Sequence, residues 1–198
     1  MEDKKTQILS AAKDIFNRLG YAKTSVDDIS QAVGMKKSSL YYYFKNKEDM
    51  FMCSFKDEWE KQFRIFEDEA NKPTNPIDRI TSYISQSLGY YEKVVLQHKI
   101  PVRVLIETRN MYREFMDHIN QGRIGFYQKC VQEGIDSGSF KPCNTRKVAE
   151  CIFTVKFSIQ YDSFNMFIHT YPSELDFANI KENILFAVNL IVNGLKKN

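Results

Sequence analysis

Apolar residues recur at helical spacing through most of the chain, and few residues interrupt them. In the first such segment the spacing i, i+1, i+4, i+7, i+8, i+11 places six apolar residues on one helix face: Ile8, Leu9, Ala12, Ile15, Phe16 and Leu19. The 198 residues include only five Pro and eight Gly, which favours long helices over many short strands. The sequence therefore predicts an all-α fold.

Two glycines divide the first quarter of the chain into three short helical segments. Gly20 is expected to end the first segment, and Ser25 to begin the second as its N-cap, with Asp28 at the capping-box position. Gly34 is expected to end the second, and a third follows over about residues 37–44. Two helices joined by a tight turn containing Gly form a helix-turn-helix when the second helix can enter a DNA groove.

The third segment combines a buried side with a basic, hydroxyl-rich side. The expected core of the unit consists of Ile29, Val33, Met35 and Leu40. The exposed side would present Lys36, Lys37, Ser38, Ser39, Tyr41 and Tyr43, whereas Tyr42 and Phe44 are expected to pack in the core. Lysine neutralises phosphate or binds guanine edges, and hydroxyl groups bind phosphates or bases, so this side suits DNA.

Charge is unevenly distributed along the chain. Residues 1–47 hold nine basic and five acidic side chains, a net charge of +4, while the remainder holds 19 basic and 20 acidic, a net charge of −1. The near balance excludes a polycationic tail, and the asymmetry indicates an anionic partner for the N-terminal segment. A solvated lysine face is the alternative explanation.

Several classes of protein are disfavoured by the sequence. The cysteines are not spaced as CxxC and the histidines do not complete a zinc pattern; they are Cys53, Cys130, Cys143, Cys151, His98, His118 and His169. We therefore expect no metal, no cofactor and a reducing cytoplasmic location. The N-terminus lacks the apolar region of a signal peptide, and no apolar run is long enough to span a membrane.

The rest of the chain is predicted to be a larger helical body. The expected helices cover residues 47–70, 77–97, 102–119, 122–136, 146–168 and 176–195. The last two carry apolar stripes, formed by Val148, Ile152, Val155 and Ile159 and by Ile180, Ile184, Val188, Ile191 and Leu195. Such a pair from each of two subunits makes a four-helix interface, but the same stripes could equally be internal core.

Short motifs in residues 8–51 stand at the spacing of a known DNA-binding domain. They are the first helix ending in Gly20-Tyr21, the Thr24-Ser25-Val26 start of the second, Gly34, the LYYYF block of residues 40–44 and the KNKE block of residues 45–48. Through them the segment resembles the DNA-binding domain of TetR-family transcriptional regulators. Ser30 and the pair Ser38-Ser39 stand where the family often has Ala and Gly, and serine is small enough for both places.

The resemblance implies two domains and a set of DNA-binding residues. Residues 1–47 would form the helix-turn-helix domain, and residues 48–198 a helical ligand-binding and dimerisation domain. The positions that match DNA contacts of the family are Thr24, Ser25, Lys36, Lys37, Ser38, Ser39, Tyr41, Tyr43 and Lys47. The first two and Lys47 match phosphate contacts, and residues 36–39 match the start of the helix that contacts the bases.

The resemblance also implies a function. The chain would be a ligand-responsive transcriptional regulator, a repressor, that binds a palindromic operator as a homodimer and is released by a small molecule. Aromatic residues of the body are candidates for the lining of the ligand pocket: Trp59, Phe63, Tyr83, Tyr90, Phe126, Tyr127, Phe157, Tyr161 and Phe164. Such a lining would favour an apolar or aromatic effector.

Two alternatives come from other functional classes. An all-helical enzyme with a basic N-terminal extension would need a catalytic constellation, for which Glu114 and His118 stand at i and i+4. The sequence contains no Glu-x-x-His pair, P-loop or GxSxG motif. A protein-interaction adaptor with a relic helix-turn-helix is the other alternative, and the intact lysines of residues 36–47 argue against it.

Overall fold

The structure is a computed structural model that describes residues 3–111, 113–169 and 171–197. The side chains of residues 107–116 and 118, and so the Glu114–His118 pair, lie outside this description. The described residues form a 3-10 helix, Pro172–Glu174, and nine α-helices: α1 (Lys4–Leu19), α2 (Val26–Ala32), α3 (Lys37–Leu40), α4 (Lys47–Ala70), α5 (Pro76–His98), α6 (Val102–Met111), α7 (Arg113–Asp136), α8 (Thr145–Met166) and α9 (Phe177–Asn193). The predicted all-α fold is confirmed.

Helix α1 buries the apolar face that its spacing predicts. Ile8, Ala12 and Phe16 are fully buried, and the Phe16 ring meets Phe51 edge to face with the centroids 5.0 Å apart. The helix ends at Gly20, whose φ of 77° and ψ of 161° define a backbone conformation that is essentially restricted to glycine. Residues packed around α1 form the N-terminal cluster: Ile8, Ala12, Ile15, Phe16, Tyr21, Val26, Ile29, Leu40, Phe44, Met50, Phe51, Phe55, Ile100 and Val104.

Helix α3 is shorter than the sequence predicts. The predicted helix over residues 37–44 is wrong beyond Leu40, because the backbone N–H groups of Tyr43 and Phe44 both donate to the Leu40 carbonyl at 3.0 Å. With this shared acceptor the chain forms a tight turn over residues 41–43, and the α-helix does not continue. The chain then passes directly into α4, whose first turn is capped by the Asn46 side chain accepting from the Asp49 N–H.

Helix α4 links the two parts of the chain. Its first half contributes Met50, Phe51 and Phe55 to the N-terminal cluster, and its second half contributes Phe66 and Ala70 to the core of the body. A single helix therefore belongs to both cores. The division of the chain between residues 47 and 48 stays a prediction.

The C-terminal end of α5 is a second joint between the two parts. The His98 carbonyl accepts a hydrogen bond of 2.6 Å from the Tyr21 N–H. The imidazole ring of His98 lies 4.9 Å from the Phe55 ring, measured between centroids. Lys99 then adopts a left-handed conformation with φ of 50°, which ends the helix. The following residues Ile100 and Val104 complete the N-terminal cluster.

The body packs α5, α7, α8 and α9 around a core that includes the buried Arg79. The Arg79 guanidinium on α5 donates to the Glu133 carboxylate of α7 and to the Asn71 side chain after α4. Since an unpaired charge is costly to bury, these contacts fix the three elements relative to one another. None of the described helices has the length and apolar content needed to cross a membrane.

The predicted boundary between residues 119 and 122 is wrong, because α7 runs without interruption from Arg113 to Asp136. Gly122 lies on an exposed face with open space around it, where glycine costs a helix about 1 kcal/mol. The neighbouring Ile119, Ile124 and Tyr127 are buried, and their packing outweighs that cost.

Candidate nucleic-acid interface

The start of α2 is held by the capping box that the sequence predicts. The Ser25 hydroxyl accepts from the Asp28 N–H at 3.1 Å and donates to the Asp28 carboxylate at 2.7 Å. The carboxylate also accepts from the Ser25 N–H at 2.8 Å. These bonds stabilise the ionised form and lower the pKa of Asp28, the serine hydroxyl contributing most. Ser25 itself remains exposed at the helix end.

Thr24 precedes this cap and is buried. Its hydroxyl donates to the Gly20 carbonyl at 2.8 Å, and its backbone N–H donates to the same oxygen at 3.2 Å. Both of its polar hydrogens are therefore used inside the protein. The structure gives Thr24 a part in closing the turn between α1 and α2, and its predicted phosphate contact stays a prediction.

Lys47 is placed against the same turn. Its ammonium donates to the Tyr21 and Thr24 carbonyls, each at 3.0 Å, and lies 4.2 Å from the centre of the Tyr21 ring. Partial burial lowers the pKa of Lys47, and the nearby Glu48 opposes that effect. The lysine thus fastens the start of α4 to the α1–α2 turn. Its predicted role at the DNA backbone is not tested by this geometry.

The start of α3 presents its polar side chains to solvent. Lys36, Lys37 and Ser38 are exposed, and Ser39 is half-buried. The Lys37 ammonium forms an exposed ion pair of 2.8 Å with Asp27 on α2. Hydrogen bonding to this carboxylate raises the pKa of Lys37, so the lysine is held in its charged form. Four of the predicted residues therefore lie side by side at the beginning of one helix.

The tyrosines after α3 differ from the prediction in one position. The expectation that Tyr42 packs in the core is wrong, because 87% of this residue is exposed. The reason is the early end of α3: helical spacing no longer determines which way residues 41–43 face. Tyr41 is exposed as predicted, Tyr43 is half-buried, and Phe44 is buried as predicted. Tyr42 joins the candidates for DNA contact, and only the turn geometry could have identified it.

The predicted lining of a ligand pocket is distributed over several places. Tyr83, Phe126 and Tyr127 pack against one another in the body core, with the Tyr83 and Phe126 centroids 4.7 Å apart. Trp59 instead stacks on Phe55 of the N-terminal cluster. The assignment of all nine aromatic residues to one pocket stays a prediction.

One of the nine, Phe164, lines a cavity of about 40 Å³ between α5, α8 and α9. Other walls of this cavity are Leu88, Ile180 and Gln160. A wider and more open groove of about 530 Å³ lies between α7 and α8, lined by Ile124, Phe153, Val155 and several polar residues. The predicted aromatic residues do not include the groove's Phe153.

The apolar stripe of α9 has a definite position. Ile180, Ile184 and Val188 are buried within the chain and so belong to its internal core, whereas Ile191 and Leu195 of the same stripe are half-buried. A different face of α9 is apolar and open: Phe186 is 67% exposed and Leu190 is 63% exposed. These two residues do not belong to the predicted stripe. The sequence signal for this open face is position: the two residues follow the buried Ile184 and Val188 by two positions each, which places them on another side of the helix.

Comparisons with known proteins agree with this arrangement. The sequence model of the family described as bacterial regulatory proteins, tetR family, matches residues 8–52. The HTH-type transcriptional regulator YhgD of Bacillus subtilis is 24% identical over 164 residues, which cover 81% of this chain and 84% of the relative. The fatty acid metabolism regulator protein of Bacillus subtilis is 26% identical over 138 residues, or 68% and 70% of the two chains.

Solved structures share the whole fold. A transcriptional regulator from Cytophaga hutchinsonii has a TM-score of 0.71 at 21% identity and covers 99% of this chain and 100% of its own. The regulator FadR from Bacillus subtilis, crystallised in complex with stearoyl-CoA, has a TM-score of 0.61 at 22% identity, with coverage of 97% and 100%. These relatives are named as regulators of transcription and not as enzymes.

Proposed function

Since the chain belongs to the TetR family of bacterial transcriptional regulators, we propose that it is a ligand-responsive repressor that binds a palindromic operator as a homodimer. Binding of a small molecule to the helical body releases the DNA. Such a regulator works in the cytoplasm, where its operator lies.

The surface at the start of α3 carries this proposal. Lys36, Lys37 and Ser38 are exposed together, and Tyr41 and Tyr42 extend the same surface beyond the helix. The capping box of Ser25 and Asp28 fixes the adjacent end of α2. A basic, hydroxyl-rich helix start held against a second capped helix is the geometry with which a helix-turn-helix contacts base edges and phosphates.

The exposed apolar face of α9 supports a dimer. Phe186 and Leu190 expose apolar surface to water, which is unfavourable for a single chain. A second copy of the chain would cover this surface. On the neighbouring α8, Val155 and Ile159 are partly exposed and would extend this face. A symmetric dimer places two α3 helices one duplex turn apart, which matches a palindromic site.

Repression and ligand response are supported by relatives. One relative is named as the repressor KstR2 of Mycolicibacterium smegmatis, and another as the negative regulator IcaR of Staphylococcus aureus. In this chain, the joint between His98 and the Gly20–Tyr21 turn offers a path for coupling. Because α5 lines the small cavity and also ends at this joint, a ligand that shifts α5 would also shift the N-terminal helices.

Selection of bound fragments from the source genome tests the proposal with the full chain. We expect enrichment of palindromic fragments, with an affinity that falls steeply as salt is raised from about 50 to 200 mM. Bound and unbound fractions would be measured for an enriched fragment and for a scrambled fragment of the same composition. Equal binding of both fragments at every salt concentration would contradict the proposal.

A further inference from the structure

Two basic side chains are placed in the aromatic core of the body. Lys156 on α8 is only 8% exposed, although lysine is rarely buried in proteins unless it is paired. Arg123 on α7 is half-buried, and its Nε atom is shielded from solvent without a hydrogen-bond partner. The two cations are close enough for the charge of Arg123 to act on Lys156.

The described partners of these two residues are neutral. The Lys156 ammonium donates to the Gln160 side-chain oxygen at 2.6 Å. Arg123 donates a long bond of 3.4 Å to Asn120, and its guanidinium lies 4.5 Å from the centre of the Phe63 ring. Among the side chains that the structure describes, no carboxylate forms an ion pair with either residue.

Arg79 is a buried charge of the same core that has a structural role. It is as buried as Lys156, and it is paired with the Glu133 carboxylate and the Asn71 side chain. Lys156 and Arg123 lack such compensation. Burial lowers the pKa of Lys156 to about 7, and repulsion by Arg123 acts in the same direction. A buried cation without an acidic partner destabilises the fold, so its presence calls for a compensating anion.

The surroundings suit the apolar part of a ligand. Phe63 packs on Arg123, and Tyr83 lies near enough for the charge of this arginine to act on the pKa of its phenol. On the other side, Gln160 both accepts from Lys156 and lines the cavity of about 40 Å³. The cavity walls include Leu88 and Phe164. The ammonium is therefore one hydrogen bond away from this cavity, whose walls also include the charged residues Glu92 and Lys181.

We propose that Lys156 and Arg123 form the anion-binding end of the effector site, and that the effector is an apolar organic acid whose carboxylate lies between the two cations. This inference rests on the proposed ligand response and adds the chemical class of the ligand. It also refines the expectation of an apolar or aromatic effector: the body of the ligand is apolar, and one end is an anion.

Matched probes of equal shape and different charge test this proposal. Binding of decanoate and decanamide, and of 2-naphthoate and 2-naphthamide, would be measured by calorimetry on the full chain at pH 7. We expect the acid of at least one pair to bind at least tenfold more tightly than its amide. Lys156→Met should remove this preference, whereas Lys129→Met, at an exposed lysine of α7, should keep it.

Two results would overturn the proposal. One is the absence of any acid preference in both pairs, including the absence of binding. The other is a preference that survives both Lys156→Met and Arg123→Met. Melting temperatures of the variants show that they fold. Operator binding is also measured without a probe, and the variants leave the surface at α3 unchanged. A chain that binds its operator but shows no acid preference would therefore contradict this inference and not the proposed function.

Discussion

At the residue scale, Lys37 is the side chain at α3 whose role in DNA binding can be tested most directly. It is exposed and forms an ion pair with Asp27 that solvent screens, so releasing it for DNA costs little. We expect Lys37→Ala to weaken operator binding about tenfold or more, with relaxed specificity at one position if the lysine contacts a base. Binding curves with single-base operator variants would measure both effects.

The matched control for Lys37 is Lys61→Ala, at an exposed lysine of α4 in the body. This variant should bind the operator like the unmodified chain. Equal losses in the two variants would mean that Lys37 contributes only general positive charge.

Gly20 combines a positive φ with a close backbone contact, and both disfavour any other residue at this position. A Cβ atom at this position would lie 3.1 Å from the His98 carbonyl oxygen, and the positive φ already disfavours other residues. We expect Gly20→Ala to lower the free energy of unfolding by about 1–3 kcal/mol. Gly138 also has a positive φ but open space around it, so Gly138→Ala should cost less. Urea unfolding of both variants measures the difference, and equal losses would contradict a role for the His98 contact.

Lys156 should make the stability of the protein depend on pH. The pKa of about 7 in the folded chain is below the value of about 10.4 expected after unfolding. Between these values the unfolded chain binds more protons, so the stability of the unmodified chain rises with pH. Below pH 7, the lysine is charged in the folded chain as well, and the full free-energy cost of burying the charge remains.

We therefore expect Lys156→Met to increase the free energy of unfolding by about 1–3 kcal/mol near pH 6, with a gain that shrinks towards pH 10. Denaturant unfolding at pH 6, 7, 8 and 9 would measure this gain. Lys129→Met should show no such trend, since that lysine is exposed. A gain for Lys156→Met that is constant over this range would show that the lysine keeps its proton in the folded chain, with a pKa that burial has not lowered.

At the element scale, the capping box decides how firmly α2 is held. This helix has seven residues, too few to be stable alone, and its first turn depends on the Ser25 hydroxyl. We expect Ser25→Ala to lower the free energy of unfolding by about 1 kcal/mol. Ser10→Ala, at an exposed position of α1, should have a much smaller effect in the same denaturation experiment. A loss as large in Ser10→Ala would argue against the cap.

The elements also show what the sequence could and could not predict. Helices α1 and α2 follow from apolar spacing, Gly20 and Ser25, because local preference and tertiary packing agree there. The early end of α3 depends on a shared acceptor at Leu40, which residue types do not encode, and so the exposure of Tyr42 was missed. The sequence predicts a break between residues 119 and 122, and α7 continues through it because its buried side chains pack against other helices.

The candidate site was predictable in its residue types and less so in its contacts. The exposed Lys36, Lys37 and Ser38 lie together as their positions suggest. The internal bonds of Thr24 and Lys47 both involve the turn after α1: the Thr24 hydroxyl bonds to the Gly20 carbonyl four positions earlier, whereas Lys47 bonds to carbonyls 26 and 23 positions away. Lys156 could have been suspected as a charge on the buried side of α8, since Ala149 and Ile152 lie on the same side.

At the scale of the whole molecule, the exposed face of α9 should determine the oligomeric state. The double change Phe186→Glu and Leu190→Glu places two charges on this face and should convert a dimer into a monomer, measured by sedimentation. Operator affinity should fall sharply because one chain then contacts only a half-site. Tyr171→Glu, at an apolar residue 75% exposed outside α9, should remain dimeric. A dimer that persists in the double variant would place the interface elsewhere.

The N-terminal cluster contains residues from both parts of the chain, and this limits how the DNA-binding part can be exchanged. Ile100 and Val104 come from the body, and the His98 carbonyl binds the turn after α1. A chimera that exchanges residues 1–47 alone would bring a foreign α1 against these unchanged partners. A transplantable DNA-binding module must therefore include the segment from His98 to Val104 as well, although this segment begins 79 positions after Leu19, the last residue of α1.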